Sequence, residues 1–153
     1  MKTAQTIHHR IYTYLAKLVP DVCTMQPGDA LKSHSSGFMD LNLDILDRND
    51  EVMIIALSHY YKSSCGDMIA DPDMEARVCF ATQSVEALTY QDAMIYQRVY
   101  VDNNKCCPKL KKSLNTFLCQ WLKSCLTKGH LLTPERSGAA WNEEEPGCFH
   151  ISF

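Results

Sequence analysis

The sequence predicts an α+β domain: an N-terminal helix, an antiparallel meander of four to five strands, and a long C-terminal amphipathic helix packed on the sheet. Three observations predict it. Ile7, Ile11, Leu15 and Leu18 recur at spacings of four, four and three, which is one face of a helix. Met39, Leu41, Leu43 and Ile45 alternate with Asp40, Asn42 and Asp44, and Met74, Ala76, Val78 and Phe80 alternate with Glu75, Arg77 and Cys79, the period of half-buried strands. Leu110, Leu114, Phe117, Leu118, Trp121, Leu122, Cys125 and Leu126 then return to helical spacing.

Each element follows from local chemistry. The first helix is expected over residues 3–19, with Tyr14 widening its stripe and Pro20 stopping it. Residues 21–37 are rich in Pro, Gly, Ser and Asp and read as a loop. A strand follows from Phe38. Arg48, Asn49 and Asp50 supply a turn, and residues 52–61 are apolar and β-branched enough for a strand covered on both faces in part. The pattern breaks over residues 62–72, where Gly66-Asp67 and Asp71-Pro72 signal turns. Strands are expected from Met74, from Val85 and from Ile95, and short connections argue for an antiparallel meander. Pro108 opens the last helix and Gly129 closes it. The helices are expected on one face of the sheet.

Length and composition bound the function. A chain of 153 residues is one ordinary domain, read as residues 1–130 with residues 131–153 as an acidic, loosely docked extension. Eight cysteines are too few for a disulfide scaffold, and His8, His9 and Arg10 interrupt any leader-like apolar run. The expectation is therefore a cytoplasmic protein with free, mostly packing thiols, no membrane span, and a monomeric or homodimeric state.

The net charge of −3 conceals a segregation. Residues 1–20 carry +3 and residues 103–134 carry +6, with no acid in either, against −9 over residues 21–102 and −3 over residues 135–153. Lys105, Lys109, Lys111, Lys112, Lys123 and Lys128 are the candidate partner-binding residues, for an acidic protein or nucleic acid. Ordinary solubilising surface is the competing reading, and the cluster lacks Arg and interleaved exposed aromatics.

Chemical motifs are sparse. His59 with Asp67, Asp71, Asp73 and Glu75 are the candidates for a catalytic or divalent-cation site, although the acids lack the register of a calcium loop and suit a solvated turn. Zinc finds no Cys-x-x-Cys pair, and Cys119, Cys125 and His130 suit core packing. Cys65 with His59 carries no specific sign of a nucleophile. His8 and His9, adjacent on a helix, read as surface. No metal and no cofactor is expected.

Two stretches resemble a known family. Met74-Glu75-Ala76-Arg77-Val78 is followed by Val85-Glu86-Ala87-Leu88-Thr89-Tyr90-Gln91-Asp92, and residues 115–130 hold Asn115, Phe117-Leu118, Trp121-Leu122 and Gly129. Over residues 38–130 the chain resembles the bacterial YqiB-like domains of unknown function. The resemblance implies a small cytoplasmic bacterial protein and carries no activity. A non-enzymatic binding or adaptor domain using a basic helical face is the leading expectation. A metal-dependent enzyme or metal-binding protein built on residues 59–75 and a self-associating structural domain are the alternatives.

Overall fold

A computed structural model of the chain describes residues 5–102 and 105–134. Helix α1 (Ile7–Leu18) starts where the Thr6 hydroxyl accepts from the His9 N–H at 3.1 Å, a side-chain N-cap. Strands β1 (Ala30–Ser33), β2 (Leu41–Arg48), β3 (Val52–Lys62), β4 (Met68–Cys79), β5 (Ser84–Ala87), β6 (Thr89–Gln91) and β7 (Tyr96–Arg98) form one antiparallel sheet. Its order is β1-β2-β3-β4-β6-β7, with β5 beside the far end of β4. A small ribbon, β8 (Tyr100–Val101) with β9 (Lys105–Cys106), leads into helix α2 (Pro108–Thr127).

The α+β class, the flanking helices and the antiparallel pairing stand as expected, but the sheet has seven strands where four to five were expected: the strand expected from Val85 breaks at Leu88 into β5 and β6, and the one expected from Ile95 breaks at Val99 into β7 and β8. Two further stretches differ. The segment read as a loop holds a short 3₁₀ turn (Val22–Thr24) and β1, a four-residue strand whose alternation is too short to register. The expected break over residues 62–72 is narrower, because β3 runs to Lys62 and β4 begins at Met68. The two strands absorb the turn chemistry through a register shift: Ser58 opposes Asp73, while Tyr60 opposes Ala70. The extra residue falls at Asp71-Pro72. A bulge tolerates proline, which has no N–H to give a ladder.

Both helices cover the same face of the sheet. Ile11, Leu15 and Leu18 of α1 and Leu114, Leu118, Leu122 and Cys125 of α2 pack over Leu41, Leu43, Met53, Ile55, Leu57, Met74 and Val78. Leu132 is fully buried in the same core, and its N–H donates to the Leu18 carbonyl at 2.7 Å. The chain therefore stays docked past residue 130; the rest of the expected acidic extension, residues 135–153 with Glu143, Phe149, Ile151 and Phe153, lies outside the described residues.

The helices also finish the sheet. Among the described residues no strand pairs with the outer edge of β5, yet that edge is not bare. His8 Nδ1–H donates to the Val85 carbonyl at 3.1 Å, and His9 Nδ1–H donates to the Gln83 carbonyl at 3.0 Å. Buried Asn115 of α2 accepts from the Ala87 N–H at 2.8 Å and donates to the Lys111 carbonyl at 2.8 Å. Residues 85 and 87 point the same way along the strand and Gln83 stands in the turn just before it, so three side chains take groups that a neighbouring strand would take.

Candidate functional site

The sheet separates Asp73 and Glu75, two of the carboxylates singled out in the sequence, from His59. Asp73 and Glu75 lie on the open face, opposite the helices, beside Asp44 and Asp47. The Tyr60 hydroxyl donates to Asp73 at 2.5 Å, and this bond, with burial, pushes the phenol up to about 12. Asp44 is held above the usual carboxylate range by burial and then by Asp73. A groove of about 600 Å³ runs over this face, floored by Ala30, Ala56 and Ser58 and walled by Asp44, Tyr60 and Asp73. Asp67 sits in the turn between β3 and β4, where its N–H donates to the Ser63 hydroxyl. Among the described residues no three His, Cys, Asp or Glu side chains are placed to hold one metal ion.

His59 faces the helices instead. It is 7% exposed, and its Nδ1–H donates to the Asp40 carbonyl at 2.8 Å. The neutral ring therefore turns a bare Nε2 toward the Cys125 sulfur, 3.9 Å away. Burial pushes the Cys125 thiol up to about 12, so the pair is a neutral contact and supplies no thiolate. Burial also lowers His59, which the Asp40 carbonyl only partly offsets. Of the singled-out acids, only Asp71 shares a cavity with His59.

A second histidine completes this cluster. Gly129, at φ +87°, closes α2 in a Schellman motif: the His130 N–H donates to the Cys125 carbonyl and the Gly129 N–H to the Leu126 carbonyl. The reversal drives His130 inward to 3% exposure, with its ring 5.8 Å from that of His59. The Ser33 hydroxyl accepts from the Leu131 N–H at 3.0 Å and shares a hydrogen bond with His130 Nδ1 at 2.9 Å. Trp121 stands edge-on to His59 at 5.3 Å between ring centres. Trp121 Nε1 and His130 Nε2 are both buried without a hydrogen-bond partner among the described residues.

The lysines divide into groups. Lys109, Lys112 and Lys123 are exposed and fall within roughly 60° of one another around α2 at 100° per residue. Lys105 is exposed on β9, just before the helix. Lys111 is drawn to the end of the sheet, its Nζ 3.8 Å from Glu86 and 5.4 Å from the Tyr100 ring centre. Lys128 sits at the opposite end of α2, over the Phe38 ring at 5.1 Å. Arg10 and Lys17 are exposed on α1, seven residues apart and so on one side of it. Neither helix contains an acid.

The chain matches the model of a family described as Domain of unknown function (DUF6908) over residues 13–131. It belongs to that family. The matched span of DUF6908 runs from the middle of α1 through the sheet to the residue after His130, so it takes in the histidine cluster and all of α2. No match to a curated protein or to a solved structure was found.

Sequence reasoning missed three things. Asn115 stands on the buried side of α2 among apolar residues, and a lone polar residue on such a face is a readable signal of a buried hydrogen bond. His130 beyond Gly129 is also readable, because a C-terminal glycine turns the next residue back onto the helix. Ser33 gives no sign in the sequence, since its partner lies 97 residues away.

Proposed function

We propose that this protein is a non-enzymatic binding module whose basic helical layer meets an acidic surface of a partner protein. One observation carries the reading. The first turn of α2 holds Lys109 and Lys111, with Lys105 just before and Lys112 just after, no acid, and no side-chain cap on Cys107. Lysines there oppose the helix dipole and weaken the helix. A protein that breaks a local rule this way gains positive potential at one end of the layer. Arg10, Lys17 and Lys123 extend that potential across both helices.

An acidic protein fits better than a nucleic acid. The opposite face carries Asp44, Asp47, Asp73 and Glu75, which repel a long polyanion but not a patch the size of the helical layer. Lysine also offers point charges without the planar fork that reads phosphates and base edges. A cytoplasmic, bacterial setting belongs to the same reading, as the likeness to YqiB-like domains implies. Among the described residues no helix is long and apolar enough to cross a membrane.

The test is retention on immobilised poly-glutamate and on duplex DNA across a salt series. Retention on poly-glutamate that falls with salt, and is lost in Lys109→Glu/Lys112→Glu, supports the proposal. Preferential retention on DNA, or no salt-sensitive retention at all, overturns it.

A further inference from the structure

Two features of this fold carry opposite charge that the fold itself does not pair. The first is a trough on the open face of the sheet. Its floor is made of small side chains, Ala56 and Ser58 of β3, under the groove of about 600 Å³. The pairing register lines it with carboxylates: Asp44 and Glu75 flank Ala56, and Asp73 stands beside Ser58. Neighbouring strands lie about 4.8 Å apart, so the backbones of Asp44 and Glu75 are roughly 10 Å apart, with room for a long side chain between them. Among the described residues the ion pairs use Asp40 and Glu86, and none uses Asp44, Asp73 or Glu75. Arg77, on the same face, is paired with Glu86 at 2.7 Å, and Lys32 stands at the β1 edge of the groove.

The second feature is the first turn of α2. Lys109 and Lys112 are exposed there, at the end of the helix where the dipole calls for acids. Neither makes an ion pair among the described residues. Helix α2 packs on the other face of the sheet, so one copy cannot bring this turn to its own trough. A second copy can. Lys109 and Lys112 are separated by about 4.5 Å of helix rise. Asp73 and Glu75 are separated by roughly 6.7 Å of strand, and flexible lysine stems absorb the difference. A net charge of only −3 leaves little overall repulsion between copies.

We propose that this protein associates head to tail, with Lys109 and Lys112 of one copy seated in the Asp44, Asp73 and Glu75 trough of the next. This rests on the basic-layer reading above and names the acidic partner as a second copy. The two surfaces in contact differ, so a dimer keeps one open trough and one open lysine turn and can grow further. Exposed ion pairs are individually weak, which makes the association weak and dependent on concentration.

The test is sedimentation velocity on the full chain, with reductant present to keep the thiols free. A dissociation constant on the order of 0.1–1 mM is expected at low salt. At about 0.01 M salt, where the screening length is roughly 30 Å, the mean mass should rise with concentration past that of a dimer. At about 0.15 M, where that length is roughly 8 Å, association should be about tenfold weaker. Lys109→Glu/Lys112→Glu removes the lysine turn and keeps the trough, and Asp44→Asn/Glu75→Gln does the reverse. Each variant alone, shown folded by circular dichroism, should be monomeric. An equal mixture should form one-to-one pairs and nothing larger, because each variant brings one intact half. A parent that stays monomeric at low salt, whatever else covers the trough, overturns the proposal. So does a mixture that does not pair, or association that either variant leaves intact. Poly-glutamate separates the two readings. If the Asp44→Asn/Glu75→Gln variant is retained on it while the parent stays monomeric, only the second-copy partner fails. If retention is absent as well, the basic-layer reading fails with it.

Discussion

Removing the Asn115 side chain tests how the helices complete the sheet. In Asn115→Ala the Ala87 N–H loses its Asn115 acceptor, at 2.8 Å, at a buried position. Leaving such a donor unpaired costs about 1–3 kcal/mol, and losing the bond to the Lys111 carbonyl adds about 0.5–1.5 kcal/mol. Alanine returns up to about 0.7 kcal/mol through its better helix propensity. The expected net loss is about 1–4 kcal/mol, read as a lower urea midpoint at unchanged slope. Hydrogen exchange gives the local signature: the Ala87 amide loses protection beyond the global change, while the amides of Ile55 and Leu57 in β3 track stability alone. A loss under about 0.5 kcal/mol, smaller than the cost of any unpaired buried donor, would refute the reasoning. So would an Ala87 amide that stays as protected as before.

Four further outcomes follow from the same structure. His59 and His130 are both held below the ordinary histidine range, mainly by burial. The unfolded chain thus takes up their protons first, and stability falls as pH drops below about 6.5 toward their folded values. Urea titrations at neutral pH and at pH near 5.5 should show this drop, and it should shrink in His59→Phe. Leu122→Ala, at a fully buried position against the sheet, should cost about 2–5 kcal/mol, measured by chemical denaturation. Gly129→Ala should lose about 1 kcal/mol, because φ is +87° and the added Cβ meets only Ser35 Oγ, at 3.6 Å; a neutral result would mean the Schellman turn is not strained by a side chain. Glu86→Gln should destabilise by about 1 kcal/mol at neutral pH. Burial opposes its ionisation, but Tyr100, Arg77 and Lys111 outweigh this and hold the carboxyl below its ordinary value. That contribution is present above the unfolded carboxyl pKa and vanishes as pH falls through the folded one, so the variant should match the parent in acid.

The elements with long, regular periodicity are legible in the sequence alone. The stripe 114–118–122–125 and the alternation 74–76–78 each bury one face, and a pattern repeated over several turns or pairs tolerates one irregular residue. β1 was not legible, because four residues carry too little periodicity and its partner β2 supplies its hydrogen bonds. The continuation of β3 and β4 toward their connecting turn was hidden for a related reason. Turn-type residues at Asp71-Pro72 were absorbed by a bulge, which only the facing strand reveals. Of the site residues, the lysines of α2 could be placed on their helix from spacing, but Lys111 and Lys128 left the group for partners at opposite ends of the fold.

By itself the sequence determined the class of the fold, the order of its main elements, and the separation of basic helices from an acidic sheet. Each of these depends on residues near one another in the chain, through propensity, periodicity and local charge. Tertiary structure alone decided which groups meet. It placed His59 on the helical side and Asp73 and Glu75 on the open side, because adjacent strand positions alternate in direction and a bulge resets the count. It also joined Ser33 to His130 and Asn115 to Ala87 across long stretches of chain. Burial then made those contacts matter, since a polar group out of water must find its partner wherever the fold brings one.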